Sequence, residues 1–139
     1  VILSEMIHDA RIIRLVDQHV DSDFPRWMGD SIGRWEQDTL VVHTKNFRPE
    51  QSASRMFLPF SEALEVMERY TLVGDDEIHY AFTATDQQAY TQPVSGERII
   101  SRNATGEFVY EYACHEGNYS LPGILRAARR ADREATLPR

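Results

Sequence analysis

ALEVMERYTLVGDDEIHYAFTAT, residues 63–85, is the most regular stretch of the chain and decides its fold class. Leu64, Val66, Tyr70 and Leu72 fall on alternate positions, Gly74-Asp75-Asp76 supplies a turn, and Ile78, Tyr80, Phe82 and Ala84 alternate on the return. A side-chain period of two with a turn in the middle specifies an antiparallel β-hairpin with one apolar face. The start, SEALEVMERY, contains good helix formers, but Tyr70 and the β-branched run downstream favour a strand.

The same reading extends to both sides. Upstream, GRW and TLVVHTK flank Glu36-Gln37-Asp38 and predict a hairpin over residues 33–45, with Leu40, Val42 and Thr44 on one face and Val41, His43 and Lys45 on the other. Glu5 to Leu15 is β-rich and lacks Gly and Pro, so it reads as a first strand, followed by a loop over VDQHVDSDFP. Asn46 to Glu62 is a long connection broken by Pro49 and Pro59, and its Met56, Phe57, Leu58 and Phe60 read as a flap or a barrel-end closure. Downstream, Val94–Arg102 and Glu107–Cys114 predict a second hairpin about Asn103-Ala104-Thr105-Gly106, with Phe108, Tyr110, Tyr112 and Cys114 on one face.

Residues 119–135 carry the one helical pattern. Ser120 is the expected N-cap, Pro122 sits in the first turn, and Leu121, Ile124, Leu125 and Ala128 make the apolar stripe. Arg126, Arg129, Arg130 and Arg133 fall late, where cations complement the helix dipole, and read as a solvated face. Six or seven strands and one helix predict a mainly β, antiparallel meander in a single domain over residues 1–139. It would curl into a lipocalin-like barrel or half-barrel with one C-terminal α-helix.

Composition limits the function classes. The chain has 139 residues, 22 acidic and 15 basic side chains and a formal charge of −7, which argues against a nucleic-acid or anionic-membrane surface. No apolar run reaches the roughly 20 residues of a membrane span, so a soluble chain is expected. The lone Cys114 cannot form an internal disulfide. Neither a GxSxG, HExxH, glycine-rich phosphate nor EF-hand pattern occurs. Cys114 and His115 are adjacent and match no zinc spacing, so no metal and no cofactor are expected. Asn103-Ala104-Thr105 and Asn118-Tyr119-Ser120 match the glycosylation pattern, a weak signal by itself. The chain starts at Val1 without a signal segment, which reads as a processed, tagged or trimmed product.

Four places put polar residues where a plain β-core would not. Glu68 shares the face of Leu64, Val66, Tyr70 and Leu72, so it either needs a partner or ligand inside, or is turned out by a bulge. Cys114 to Tyr119 joins a strand end to the helix start; His115 there is a candidate base, with Glu111 or Glu116 to orient it, and Asn118 is a candidate ligand or capping residue. His8 and Asp9, near Arg11, face opposite sides of a regular strand, so an acid–base pair there needs a bulge, and His8 reads as a surface residue. Trp27 and Arg34-Trp35-Glu36 read as packing over a barrel end, or as an aromatic wall with Arg34 as an anion anchor.

Two functional expectations follow. The first is a binding module for a small, partly apolar ligand, with Arg34, Trp35, Glu68, Tyr70, Tyr80, Tyr110, Tyr112, His115 and Asn118 as ligand-binding candidates and Phe82 as further lining. The second is an isomerase or lyase working by proton transfer, with His115 or Glu68 as base and Tyr80 or Tyr110 polarising a carbonyl. An interaction domain that forms a homo-oligomer through an unpaired sheet edge is the third alternative.

At WMGDSIGRWEQDTLVV (27–42) and YEYACHEGNYSLPGIL (110–125) the chain resembles a family of poorly characterised bacterial proteins. In that family a GDS-x-GRWE-x-DTLVV hairpin, an ERY-type strand with a DDE-type turn, and a YEYACHEGNY segment recur in this order. The resemblance runs from about Glu5 to Arg129 and brings no catalytic residues, since the family has no assigned reaction. Its members are often longer and exported, so the resemblance implies export. The Gly33-x-Trp35 start of a hairpin is also similar to lipocalin-like barrels.

Overall fold

The computed structural model describes residues 1–21, 23–50, 59–113 and 116–136. Its centre is a six-stranded sheet of β3 (Ile13–Arg14), β4 (Asp30–Glu36), β5 (Thr39–Lys45), β6 (Glu65–Leu72), β7 (Glu77–Thr85) and β8 (Val94–Ser101), in sequence order. All neighbours are antiparallel except β3 and β4, which run parallel. A small second sheet pairs β1 (Ile2–Ser4) with β2 (Asp9–Arg11). The C-terminal helix α1 spans Ser120–Thr136. A mainly β meander with one C-terminal helix is therefore present. Among the described residues the sheet is open, with β3 and β8 at its edges, so no closed barrel forms.

The 63–85 hairpin has the register its alternation predicts. Tyr70 pairs with Tyr80, Glu68 with Phe82 and Val66 with Ala84. Carried across the sheet, this register sorts the side chains into two faces. The first face holds rows such as Trp35, Leu40, Tyr70, Tyr80, Arg98 and Gly33, Val42, Glu68, Phe82, Gly96. The second holds Asp30, Ile32 and Arg34 on β4, Val41, His43 and Lys45 on β5, and Glu65, Met67 and Arg69 on β6. Val41 and Val42, on opposite faces of β5, are both buried, because the central strand is covered on both sides.

Three expectations change. Glu5 to Leu15 is not one strand: Met6–His8 forms a short 3-10 turn, His8 takes φ 58°, and the chain resumes as β2 and β3. That break turns Arg11 towards one face of the main sheet and Arg14 towards the other, since Arg11 reaches Glu68 and Arg14 reaches Asp30. Residues 107–113 are not a strand, although the turn before them forms through Glu107 N–H to Ala104 O at 3.0 Å. They lead towards the N-terminal hairpin, where Tyr112 N–H donates to the Glu5 carboxylate at 3.2 Å. Alternation alone does not make a strand; a ladder of backbone hydrogen bonds does. Ser120 is not the cap but the first helical residue, and its N–H donates to the Asn118 side-chain oxygen at 3.0 Å. Helix α1 stays exposed, with Leu121 and Ile124 uncovered by the described residues, so it does not close the sheet.

Gly29 shapes the entry to β4. Its φ of 68° favours glycine, and a Cβ there would stand 2.9 Å from the Lys45 carbonyl oxygen and 2.6 Å from Thr44 Cγ2. The turn it makes, Gly29 N–H to Arg26 O at 3.2 Å, brings Arg26 back beside Asp30.

Candidate functional site

Two buried carboxylates organise the two faces. On the first face Glu68 is 4% exposed, so the inward alternative holds and no bulge turns it out. Its Oε1 accepts the hydroxyls of Tyr70 at 2.8 Å and Tyr80 at 3.1 Å. Arg11 Nη2 lies 2.8 Å from Oε2 as an ion pair and also donates to the Tyr70 oxygen at 3.1 Å. The pair is held by charge more than by direction, because Glu68 Oε2 and Arg11 Nε are buried without a hydrogen bond. Burial, then the Glu68 charge, raises both phenols, Tyr80 up to about 12 and Tyr70 further. Burial works against the Arg11 charge, but Glu68 outweighs it and raises the guanidinium above its ordinary value. Both phenols therefore stay protonated donors at neutral pH. Beyond them, Tyr80 stacks on Phe82 with centroids 6.1 Å apart, Arg98 lies over the Tyr80 ring at 5.8 Å, and Gly96 leaves room for the Phe82 ring.

On the second face Asp30 is 3% exposed and accepts from four groups. Arg14 Nη2 reaches Oδ1 at 3.0 Å and Oδ2 at 2.9 Å, and Arg26 Nη1 reaches Oδ1 at 3.3 Å. His19 Nδ1 and Val20 N–H reach Oδ2 at 2.8 and 3.1 Å. Burial by itself would raise the Asp30 pKa; these hydrogen bonds and the Arg14 charge outweigh it and hold the carboxyl below the usual range. The network continues outward: His19 Nε2 is 3.0 Å from His43 Nδ1, and His43 Nε2 is 3.2 Å from Glu65 Oε2. Asp30, His19, His43 and Glu65 thus form one hydrogen-bonded chain, drawn from β4, the 15–29 loop, β5 and β6.

Two cavities flank Asp30. One, about 310 Å³, lies at the β4 edge and is lined by Arg11, Arg14, Arg26, Asp30, Ile12 and Met28, among others. The other, about 490 Å³, lies at the end of β5 and β6, where His19, Asp21, Lys45, Glu62 and Glu65 line it. No group of three or more His, Cys, Asp or Glu among the described residues is arranged to hold a metal ion. No described helix is long and apolar enough to cross a membrane.

Of the residues singled out from sequence, Glu68, Tyr70 and Tyr80 come together, and Trp35 shares their face two strands away with 61% exposure. Arg34 lies on the opposite face, paired with Glu36 at 2.6 Å, while Arg69 binds the same carboxylate at 3.0 Å. Tyr110 is 83% exposed, Tyr112 is partly exposed, and Asn118 is occupied in the helix-start turn. His115 and Cys114, and the Met56, Phe57 and Leu58 of the expected flap, lie outside the described residues. Trp27 carries Arg48 over its ring at 5.9 Å, and His8 is exposed, as its surface reading expects. Sequence reading missed Asp30, His19, His43 and Glu65 as a group. The available signal was an Asp, two His and a Glu around the 30–45 hairpin, with His43 on the face away from Val42.

A third buried carboxylate, Asp86, accepts the Ser61 hydroxyl at 2.8 Å and the N–H groups of Gln88 and Ala89 at 3.0 and 3.1 Å, tying the approach to β6 to the end of β7. Burial would raise its pKa, but these donors outweigh burial and lower it. Asp30 and Asp86 therefore both bind protons more weakly folded than unfolded. Their stabilisation is full above the ordinary carboxylate value of 3.8 and is lost as pH falls below it. Urea midpoints measured from pH 7 down to 2.5 should be flat to about pH 5 and then fall steeply. Asp86→Asn should make that fall shallower.

No protein-family model, curated protein sequence or solved structure matches the chain.

Proposed function

We propose that the chain binds a small, partly apolar ligand carrying an anionic group, on an open, lipocalin-like half-barrel, in the cavity at the β4 edge. The observation that supports this reading is the charge of that cavity's wall. Three guanidinium groups, Arg11, Arg14 and Arg26, line it against one buried carboxylate, Asp30; with Glu68, which pairs Arg11 from outside the wall, counted as well, one positive charge remains in surplus. Arg11 adds a buried Nε–H that no described group accepts. Ile12, Met28 and Ala10 supply apolar surface beside these donors, and about 310 Å³ sits at the small end of ligand cavities. A carboxylate matches the planar fork of a guanidinium, so a short aliphatic carboxylate is the fitting ligand class. The aromatic face of Tyr80 and Phe82 remains a second apolar surface on the same sheet.

The test is isothermal titration calorimetry with butyrate, hexanoate and octanoate against amines of equal length. Carboxylates should bind, amines should not, and Arg26→Gln, at a half-exposed position, should weaken binding about tenfold, or roughly 1.4 kcal/mol. Equal binding of amines, or an Arg26→Gln variant with unchanged affinity, would overturn the reading. Native mass spectrometry of the purified protein would show a retained acid directly.

A further inference from the structure

The Asp30–His19–His43–Glu65 chain ends on a different cavity from the one proposed for ligand binding. We infer that this second cavity, about 490 Å³, is a general acid–base site that enolises a small α-hydroxy carbonyl compound, with Glu65 as the base and Lys45 as the electrophile. Lys45 and Glu65 fall one rung beyond the last paired residues, Thr44 and Val66, and so face each other across neighbouring strands on the same side of the sheet. Both line the cavity, and Lys45 makes no ion pair with a described residue. An ammonium and a carboxylate side by side on one cavity wall can act on two adjacent atoms of a substrate.

The chain behind Glu65 defines its orientation. Three hydrogen bonds link four groups, and three protons are needed to fill them. A carboxylate only accepts, so His19 Nδ1 donates to Asp30 and His43 Nε2 donates to Glu65. His43 then donates to Glu65 Oε2 and leaves Oε1 for the substrate. His19 fixes the His43 ring, and Asp30 fixes His19, as a carboxylate does behind a catalytic imidazole. Arg14 and Arg26 keep Asp30 ionised from the other side. His19, His43 and Asp30 are thus positioning residues, and Glu65 is the catalytic one.

Glu65 Oε1 takes the proton from the carbon beside the carbonyl, and the C–H electron pair becomes the C=C bond of an enediolate. The carbonyl π pair moves to oxygen, where Lys45 donates a hydrogen bond. Lys45 gives a proton to that oxygen and takes one from the neighbouring hydroxyl, whose oxygen becomes the new carbonyl as Glu65 returns its proton to the former carbonyl carbon; the isomer forms with no oxidant or second substrate. The remaining lining fits hydroxyl groups: Asp21 and Glu62 accept from them, while Gln18 can donate or accept.

Proton NMR in D2O with dihydroxyacetone and glyceraldehyde tests this. The protein should speed exchange of their carbon-bound α-protons well above buffer. Glu65→Gln, half-exposed and so tolerated by the fold, should lower the rate about 100-fold or more. Glu65→Asp should restore part of it, and Glu36→Gln, elsewhere on the same face, should leave it unchanged. His43→Gln should both slow exchange and shift its pH profile, which a purely structural residue would not do. Exchange no faster than buffer, a Glu65→Gln rate equal to wild type, or an unshifted profile in His43→Gln would overturn the inference. Because this cavity and the carboxylate site share no test residue, either can fail alone.

Discussion

Asp30→Ala is expected to be the most damaging single substitution on the second face, costing about 3–5 kcal/mol of stability in urea denaturation. Asp30 is almost fully buried and joins Arg14, Arg26, His19 and the Val20 N–H. Its removal leaves these donors without their acceptor, and the penalty of an uncompensated charge exceeds the value of any one bond. Arg14 and Arg26 are partly exposed and can turn to water, which keeps the cost at the scale of one broken buried pair. The segment that carries His19 and Val20 loses its tether, so hydrogen exchange should rise over residues 15–21 before it rises in β5 or β6. A variant as stable as wild type, with unchanged protection there, would show that the network is ornamental.

Glu68→Ala should cost a similar amount, about 3–5 kcal/mol, by leaving Arg11 buried without its counter-charge and Tyr70 and Tyr80 without their acceptor. The informative control is the double replacement Glu68→Leu with Arg11→Met, which removes both charges and keeps apolar volume. Such a swap of a buried pair is often neutral or stabilising, so the double variant should recover most of the loss. It should also lower the Tyr80 pKa from about 12 towards its ordinary value, since the Glu68 charge is one of its causes, while burial remains. Spectrophotometric titration of the phenols reads this directly. If the double variant were as unstable as Glu68→Ala, the hydroxyl acceptor rather than the ion pair would carry the stability.

The hairpins read at 33–45 and 63–85 were legible because a half-buried strand writes its burial into the sequence at a period of two. For Glu68 the sequence left an inward face or a bulge open, and the unbroken pairing of Glu68 with Phe82 decided for the inward one. Helix α1 was legible from its stripe at i, i+3, i+4 and i+7, although both ends moved by one residue, from 119–135 to Ser120–Thr136, and Ser120 became its first residue rather than its cap. The alternation over 107–113 reads equally well, yet those residues lack a ladder, because a strand needs an unpaired edge brought alongside and sequence spacing does not say which segment arrives there.

The sequence by itself determined the class, a β meander with one helix, and the faces on which Tyr70, Tyr80 and Phe82 lie, because these depend on local period and short turns. The partners of the buried charges were decided only by tertiary structure. Arg11 meets Glu68 across 57 residues of chain, and Asp30, His19, His43 and Glu65 arrive from four separate segments. A carboxylate records in the sequence that it needs a counter-charge when buried, but any of the 15 Lys and Arg residues could supply it. The break at Met6–His8 and the turn at Gly29 settle the choice, since they aim Arg11, Arg14 and Arg26 at the two faces of one sheet.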